Sequence, residues 1–172
     1  NFNPYLQIDL GKGIYAKSGK ELDFIKEDNL EKIKDKKPFF SDIIISKVTG
    51  KPIFLLCAPI KKDGNVVAYL VARDGAEFLN ELTDKIGYGK TGYAYVVDST
   101  GKIVAHLKKD LINQGLNDFN DSMKKAVEKM ISNESGVENY YNSQNKKVYG
   151  GYNKIDNSNW TLIITAPEME VM

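Results

Sequence analysis

Ile53-Phe54-Leu55-Leu56-Cys57-Ala58-Pro59-Ile60, a turn at Asp63-Gly64, then Val66-Val67-Ala68-Tyr69-Leu70-Val71-Ala72 is the stretch that decides the fold. Two apolar runs with a glycine turn between them read as central antiparallel strands with both faces covered. The texture recurs downstream as Val148-Tyr149-Gly150-Gly151-Tyr152-Asn153-Lys154-Ile155, a turn at Asp156-Asn157-Ser158-Asn159, then Trp160-Thr161-Leu162-Ile163-Ile164-Thr165-Ala166. Adding 95 to Asp23-Phe24, Lys51 and Ile60 gives Asp118-Phe119, Lys146 and Ile155. Nearer the N-terminus the offset is 89, carrying Asp9, Ile14 and Ala16 onto Asp98, Ile103 and Ala105. The difference between the offsets fits an insertion near 107–116. The chain reads as one unit written twice, and tandem copies of a small sheet-plus-helix unit point to a sensor more than to an enzyme.

Around that hairpin the remaining elements fall into place. Strands over 5–9 and 13–17 form a first hairpin turning at Gly11-Lys12-Gly13. Leu22, Ile25, Leu30 and Ile33 predict a helix over 21–34, stopped by Pro38, and a strand follows over 40–45. A helix over 76–86, with Phe78, Leu79, Leu82 and Ile86 on one side and Gly87 as a left-handed cap, connects the units. The second unit opens with strands over 92–98 and 102–106 around Ser99-Thr100-Gly101. Phe119, Met123, Ala126, Val127, Met130 and Ile131 then give a clean apolar helix face, capped by Asp118 or Asn117. Strands over 136–142, 147–153 and 160–166 complete it. Each unit is β-β-α-β-β-β, an antiparallel sheet with a helix across it, and the fold class is α+β. The expected division is 1–75, a connector over 76–90, and 91–172.

Composition removes several classes of function. A hydrophobic fraction of 42% with 27% charged residues is ordinary for a globular chain, and a net charge of +1 gives no pull toward nucleic acid. Lysines 32, 34, 36 and 37 alternate with acids and read as a solvated helix end. No apolar run reaches membrane-spanning length, and no signal peptide is visible. The start at Asn1 suggests a piece excised from a longer protein. Cys57 is the one cysteine, in an apolar run, and reads as a buried small hydrophobe that excludes an internal disulfide.

Motifs for catalysis are missing. His106 is the one histidine and reads as structural, with no second His or Cys to share a metal. Neither metal nor cofactor is expected, and no nucleophile–base pair favours a hydrolase or transferase. Gly87-Tyr88-Gly89-Lys90-Thr91-Gly92 has the composition of a phosphate loop. Its glycine spacing is wrong and a strand follows it, so it reads as a connector turn. Asp9 and Asp98 precede glycine turns and read as turn initiators. What remains is recognition: ten tyrosines and seven phenylalanines suit a pocket for a small ligand, and Asp42 and Arg73-Asp74 stand at strand ends that one sheet rim can bring together.

Pro38-Phe39-Phe40-Ser41-Asp42, Ser46-Lys47-Val48-Thr49-Gly50-Lys51, Ala58-Pro59-Ile60 and Asp63-Gly64 resemble the double Cache sensor domain. So do Gly89-Lys90-Thr91-Gly92-Tyr93-Ala94-Tyr95-Val96-Val97-Asp98, the residues that follow to His106, and the late Gly151-Tyr152 and Trp160. The resemblance covers nearly the whole chain, and its most specific part is the Gly-Lys-Thr-Gly-Tyr-Ala-Tyr segment. It implies two PAS-like units, membrane-distal then membrane-proximal, in the extracytoplasmic part of a bacterial methyl-accepting chemotaxis receptor. The sensor of a histidine kinase or diguanylate cyclase is the alternative, and a dimerisation module without ligand ranks below both. The family's long N-terminal helix and flanking membrane helices are not in this sequence, and the implied full-length receptor is a membrane-anchored homodimer.

The resemblance also implies a ligand in the distal unit, lined by Tyr15, Phe40, Asp42, Cys57, Arg73 and Asp74. Relatives that bind amino acids carry an Arg-x-Trp-Tyr-like stretch on the helix side. Here that segment is Lys26-Glu27-Asp28-Asn29-Leu30. Phe40 and Asp42 match the family's aromatic and first acid. The family's last acid aligns with Arg73, and Asp74 is one residue away, a shift that reverses the face of a strand. A cation at that corner favours a carboxylate or other anion, with an amino acid also possible.

Overall fold

The computed structural model describes residues 7–9, 13–14, 21–22, 37–45, 50–75 and 77–172. The chain divides into two compact units, Asn1–Gly75 and Ala76–Met172. In the first, β1 (Gln7–Asp9), β2 (Gly13–Ile14), β3 (Glu21–Leu22), β4 (Phe39–Phe40) and β5 (Ile44–Ile45) precede the long hairpin of β6 (Pro52–Lys62) and β7 (Asn65–Gly75). In the second, α1 (Glu77–Thr83), β8 (Tyr93–Val97), β9 (Ile103–His106) and a 3-10 turn at Lys109–Leu111 lead to α2 (Asp121–Ser132). The strands β10 (Ser135–Tyr141), β11 (Lys147–Lys154) and β12 (Thr161–Pro167) follow, and α3 (Glu168–Val171) ends the unit.

Both five-stranded sheets are antiparallel, so the α+β expectation holds. The first has the order β1-β7-β6-β4, with β5 also on β6, and the second has β10-β11-β12-β8-β9. Setting β4, β6, β7 and β1 against β10, β11, β12 and β8 gives one strand order twice. The duplication legible as sequence offsets is therefore a duplication of topology.

The departures lie in the shorter elements. β2 pairs with β3, not with β1, and β1 pairs with β7. Glu21–Leu22 is thus strand where a helix was expected to begin, and 23–36 lies outside the described residues. The expected strand over 40–45 is two short strands, both on β6, broken around Ser41. There the Ser41 N–H donates to Leu55 O at 2.8 Å and Leu55 N–H donates to Ser41 Oγ at 2.9 Å, so a side chain replaces one ladder carbonyl. The helix α1 is shorter than expected and packs on β8 and β9. It buries Leu79 and Thr83, an i, i+4 pair, and leaves Phe78 and Leu82 exposed. Gly87 is not left-handed; in this segment the positive φ belongs to Gly89.

The second unit's core follows the predicted helix face. Met123, Ala126, Val127 and Met130 are buried against Tyr95, Ile103, Tyr140, Val148 and Ile163, with Phe119 and Ile131 packed at the margin. Asn120, not Asp118 or Asn117, caps α2: its side chain accepts from Met123 N–H at 2.9 Å. Asp118 instead accepts from Gly115 N–H. Gly150 lies where helix and sheet meet, and a Cβ there would come within 3.0 Å of Met130 Cε and Tyr140 Cε1. No helix among the described residues is long and apolar enough to cross a membrane.

Candidate ligand-binding site

The β6–β7 register decides which predicted site residues share a face. Leu55 pairs with Arg73 and Cys57 with Val71, while Phe54 pairs with Asp74 and Leu56 with Ala72. Phe39 pairs with Cys57 and Phe40 with Leu56. Because successive strand residues alternate faces, positions 39, 53, 55, 57, 71 and 73 form one row set. Positions 40, 54, 56, 72 and 74 form the other. Four of the six candidates grouped in the sequence lie on these strands and are split: Cys57 and position 73 on one face, Phe40 and Asp74 on the opposite one. Tyr15 lies outside the described residues.

The two faces differ in burial. Ile53, Leu55 and Cys57 are all buried, whereas Leu56, Ala58, Ala72 and Asp74 are half-buried, with Phe54 the deeply covered residue among those described on their face. Burial pushes the Cys57 thiol up to about 11, so it is an unreactive apolar wall, as the sequence implied. On the half-buried face, Phe40 and Phe54 meet with ring centroids 6.0 Å apart. Asp74 Oδ1 accepts from Gly75 N–H at 2.8 Å, a local bond at the strand's end. Asp42 directly follows the Ser41 clamp, and its Oδ1 is shielded from solvent. Ser41, itself buried, is the residue that sequence reasoning missed: it fixes where Asp42 leaves β4, and only the Leu55 contact reveals it.

Position 73 falls in the row of Cys57, whereas the Phe40–Phe54 pair and Asp74 belong to the opposite row. Among the described residues no three His, Cys, Asp or Glu side chains converge as metal ligands.

Polar side chains of the second unit's interior show how it is built. Tyr95 and Tyr140 hydroxyls lie 2.8 Å apart, and both phenols are raised above their ordinary range, burial first among the causes. His106, buried, accepts the Lys108 N–H on Nδ1 at 2.8 Å and packs in tilted contact with Tyr93 and Tyr95, ring centroids 5.0 and 5.6 Å away. Burial lowers its pKa to about 4, so the ring is a neutral structural group. Asp98 Oδ1 accepts from Thr100 N–H, Thr100 Oγ1–H and Lys102 N–H, the turn-initiating role its sequence context implied.

The family model of the Cache domain matches residues 5–172, and the chain belongs to that family. Over 75 residues it is 31% identical to the methyl-accepting chemotaxis protein McpG of Pseudomonas putida, a match covering 44% of this chain and 12% of McpG. In fold it is similar to the extracellular domain of mmHK1S-Z3, designated a histidine kinase, with a TM-score of 0.67 and 19% identity over 93% of this chain and 61% of that one. It is also similar to the sensory domain of the Campylobacter jejuni chemoreceptor Tlp3 with isoleucine bound, TM-score 0.63, 20% identity, covering 99% of this chain and 67% of Tlp3's. The ligand-binding domain of the Pseudomonas fluorescens chemoreceptor CtaA in complex with L-alanine gives a TM-score of 0.61 at 18% identity, covering 99% and 74%. The chain thus spans a small part of McpG and less than two thirds of the mmHK1S-Z3 domain.

Proposed function

We propose that this Cache domain is the extracytoplasmic ligand-binding part of a bacterial methyl-accepting chemotaxis receptor, anchored in the membrane as a homodimer, with its signal received in the first, membrane-distal unit. The ligand is a small carboxylate-bearing molecule, amino acids included. The observation that carries this reading is the pairing of Arg73 with Leu55, in the row of buried Cys57, which leaves Asp74 to the half-buried face. An arginine position in the row of buried Cys57 favours an anion, because a guanidinium that loses water needs an acceptor to offset its desolvation. Asp42, with one oxygen shielded beside the Ser41 clamp, is the natural partner for an ammonium group when the ligand is an amino acid. The domain binds and is not catalytic, in keeping with its similarity to receptor domains described with isoleucine and L-alanine. Binding favours one of two packings of the first unit, and the second passes the change onward.

A thermal-shift panel of organic acids, amino acids and simple amines tests this. A ligand at about 100 times its dissociation constant adds roughly 2.7 kcal/mol of stability. Carboxylates raise the melting temperature, Arg73→Ala removes that rise, and Asp74→Asn leaves it. Stabilisation by amines alone, or an unchanged rise in Arg73→Ala, rejects the carboxylate reading and moves the anchor to Asp42 or Asp74. The similarity to mmHK1S-Z3 supports a second reading, the sensor of a histidine kinase. Sequencing the gene beyond Met172 separates the two by the output domain it encodes.

A further inference from the structure

Gly87-Tyr88-Gly89-Lys90-Thr91-Gly92 has the composition of an anion-holding loop, and the proposed function makes no use of it. In the structure it is the turn entering β8, closed by Gly92 N–H to Tyr88 O at 2.9 Å and Tyr88 N–H to Gly92 O at 3.4 Å. The amides at its tip do hold an anion, supplied by the chain itself. Lys90 N–H donates to Glu170 Oε2 at 2.7 Å, Thr91 N–H to the same oxygen at 3.3 Å, and the Thr91 hydroxyl to Oε1 at 2.6 Å. Successive backbone N–H groups converging on one carboxylate make a nest.

Glu170 belongs to α3, the four-residue helix that follows β12. No residue of α3 is buried, and Met169 and Met172 are 94% and 93% exposed. So short a helix has no stability of its own, and little apolar contact holds it. Its carboxylates supply the hold: Glu168 pairs with Lys147 of β11 at 2.8 Å, and Glu170 fills the turn. Gly89 is adapted to this occupant twice over. Its φ of +59° suits glycine, and a Cβ there would collide with Glu170 Oε2. The Thr91 hydroxyl, then the Lys90 amide, hold the Glu170 carboxyl below its ordinary range.

We propose that the Gly89-Lys90-Thr91 turn is a built-in carboxylate receiver and Glu170 a latch that seats α3 on the second unit. Seated, the latch fixes the direction in which the chain leaves β12; released, α3 loses its place on the sheet. This device is independent of what the first unit binds.

Amide hydrogen exchange in the 172-residue chain, followed residue by residue by NMR, tests it. Glu170→Ala raises exchange at the Lys90 and Thr91 amides by roughly ten-fold, the order expected for losing a bond to a charged group. The paired amides of β11 and β12 keep their rates. Thr91→Val, which removes only the hydroxyl, gives a smaller rise at the Lys90 amide. Gly89→Ala opens the latch with Glu170 still present, but it also strains the turn, so Glu170→Ala decides. Unchanged exchange at both amides in Glu170→Ala overturns the proposal. A rise spread equally over β11 and β12 also overturns it, because that marks general loosening of the unit.

Discussion

Both five-stranded sheets cover one face more deeply than the other, and the residue types at matching positions of the two sheets differ. In the second unit Val148, Tyr152 and Ile163 lie in the core with α2, while Tyr149, Leu162 and Ile164 line an open groove of about 590 Å³ on the other side. In the first unit Ile53, Leu55 and Cys57 are the covered row and Leu56, Ala58 and Asp74 the open one. Adding 95 to Leu55 gives Gly150. Leu55 pairs with Arg73, and Gly150 pairs with Thr165. The same slot of the repeated sheet therefore holds an arginine in one copy and a neutral threonine in the other, whose hydroxyl donates to Tyr93 O at 3.2 Å. Duplication copied the scaffold and left the residue type in that slot different between the copies.

If the second interior is a filled, uncharged core, removing volume from it has the largest effect. Met130 is fully buried, and Met130→Ala is expected to cost about 3 kcal/mol by chemical denaturation. Phe40→Ala, at a half-buried position of the first sheet, costs about 1 kcal/mol. Equal losses would mean that the two sheets are packed alike and would end the contrast.

Adding charge to the same core comes next. His106 is neutral in the folded chain, with its pKa lowered to about 4 by burial first, then by Lys108, against an opposing effect of Asp110. In that window the unfolded chain binds more protons. Stability is complete above the ordinary histidine pKa of about 6.5 and falls as pH drops from there toward 4. The expected loss is on the order of 2 kcal/mol, and His106→Gln should flatten the profile over that window. A wild-type profile already flat from pH 7 to 4 would show that this interior accepts charge as readily as the first unit is proposed to.

What the sequence disclosed, and what it withheld, follows from the range of each signal. The central hairpins, the apolar face of α2 and the Asp98 turn are local patterns, written within a few residues, and the structure has them. The pairing of β2 with β3, the Ser41 break and the place of Asn120 as cap depend on contacts across the fold. Whether Arg73 or Asp74 shares a row with Cys57 depends on register, and a slip of one residue inverts the answer. Glu170 and Lys90 are 80 residues apart, so the turn over 87–92 read as a plain connector, and the carboxylate on its amides was beyond the range of any local pattern.

The smallest effect concerns the Tyr95–Tyr140 pair. Their hydroxyls, 2.8 Å apart in a buried site, satisfy each other, so the second core carries polarity without charge. Tyr140→Phe strands the Tyr95 hydroxyl and should cost about 1–2 kcal/mol, because a buried polar group left unpaired loses its full desolvation free energy. Tyr95→Phe should cost the same for the mirror reason. Replacing both removes the two polar groups together, so the double variant should lie close to wild type. Measured as a double-mutant cycle by denaturant titration, the coupling is then about as large as the two single losses together. Additive losses would mean that each hydroxyl has another partner, and that the second core holds polarity much as the first unit is proposed to.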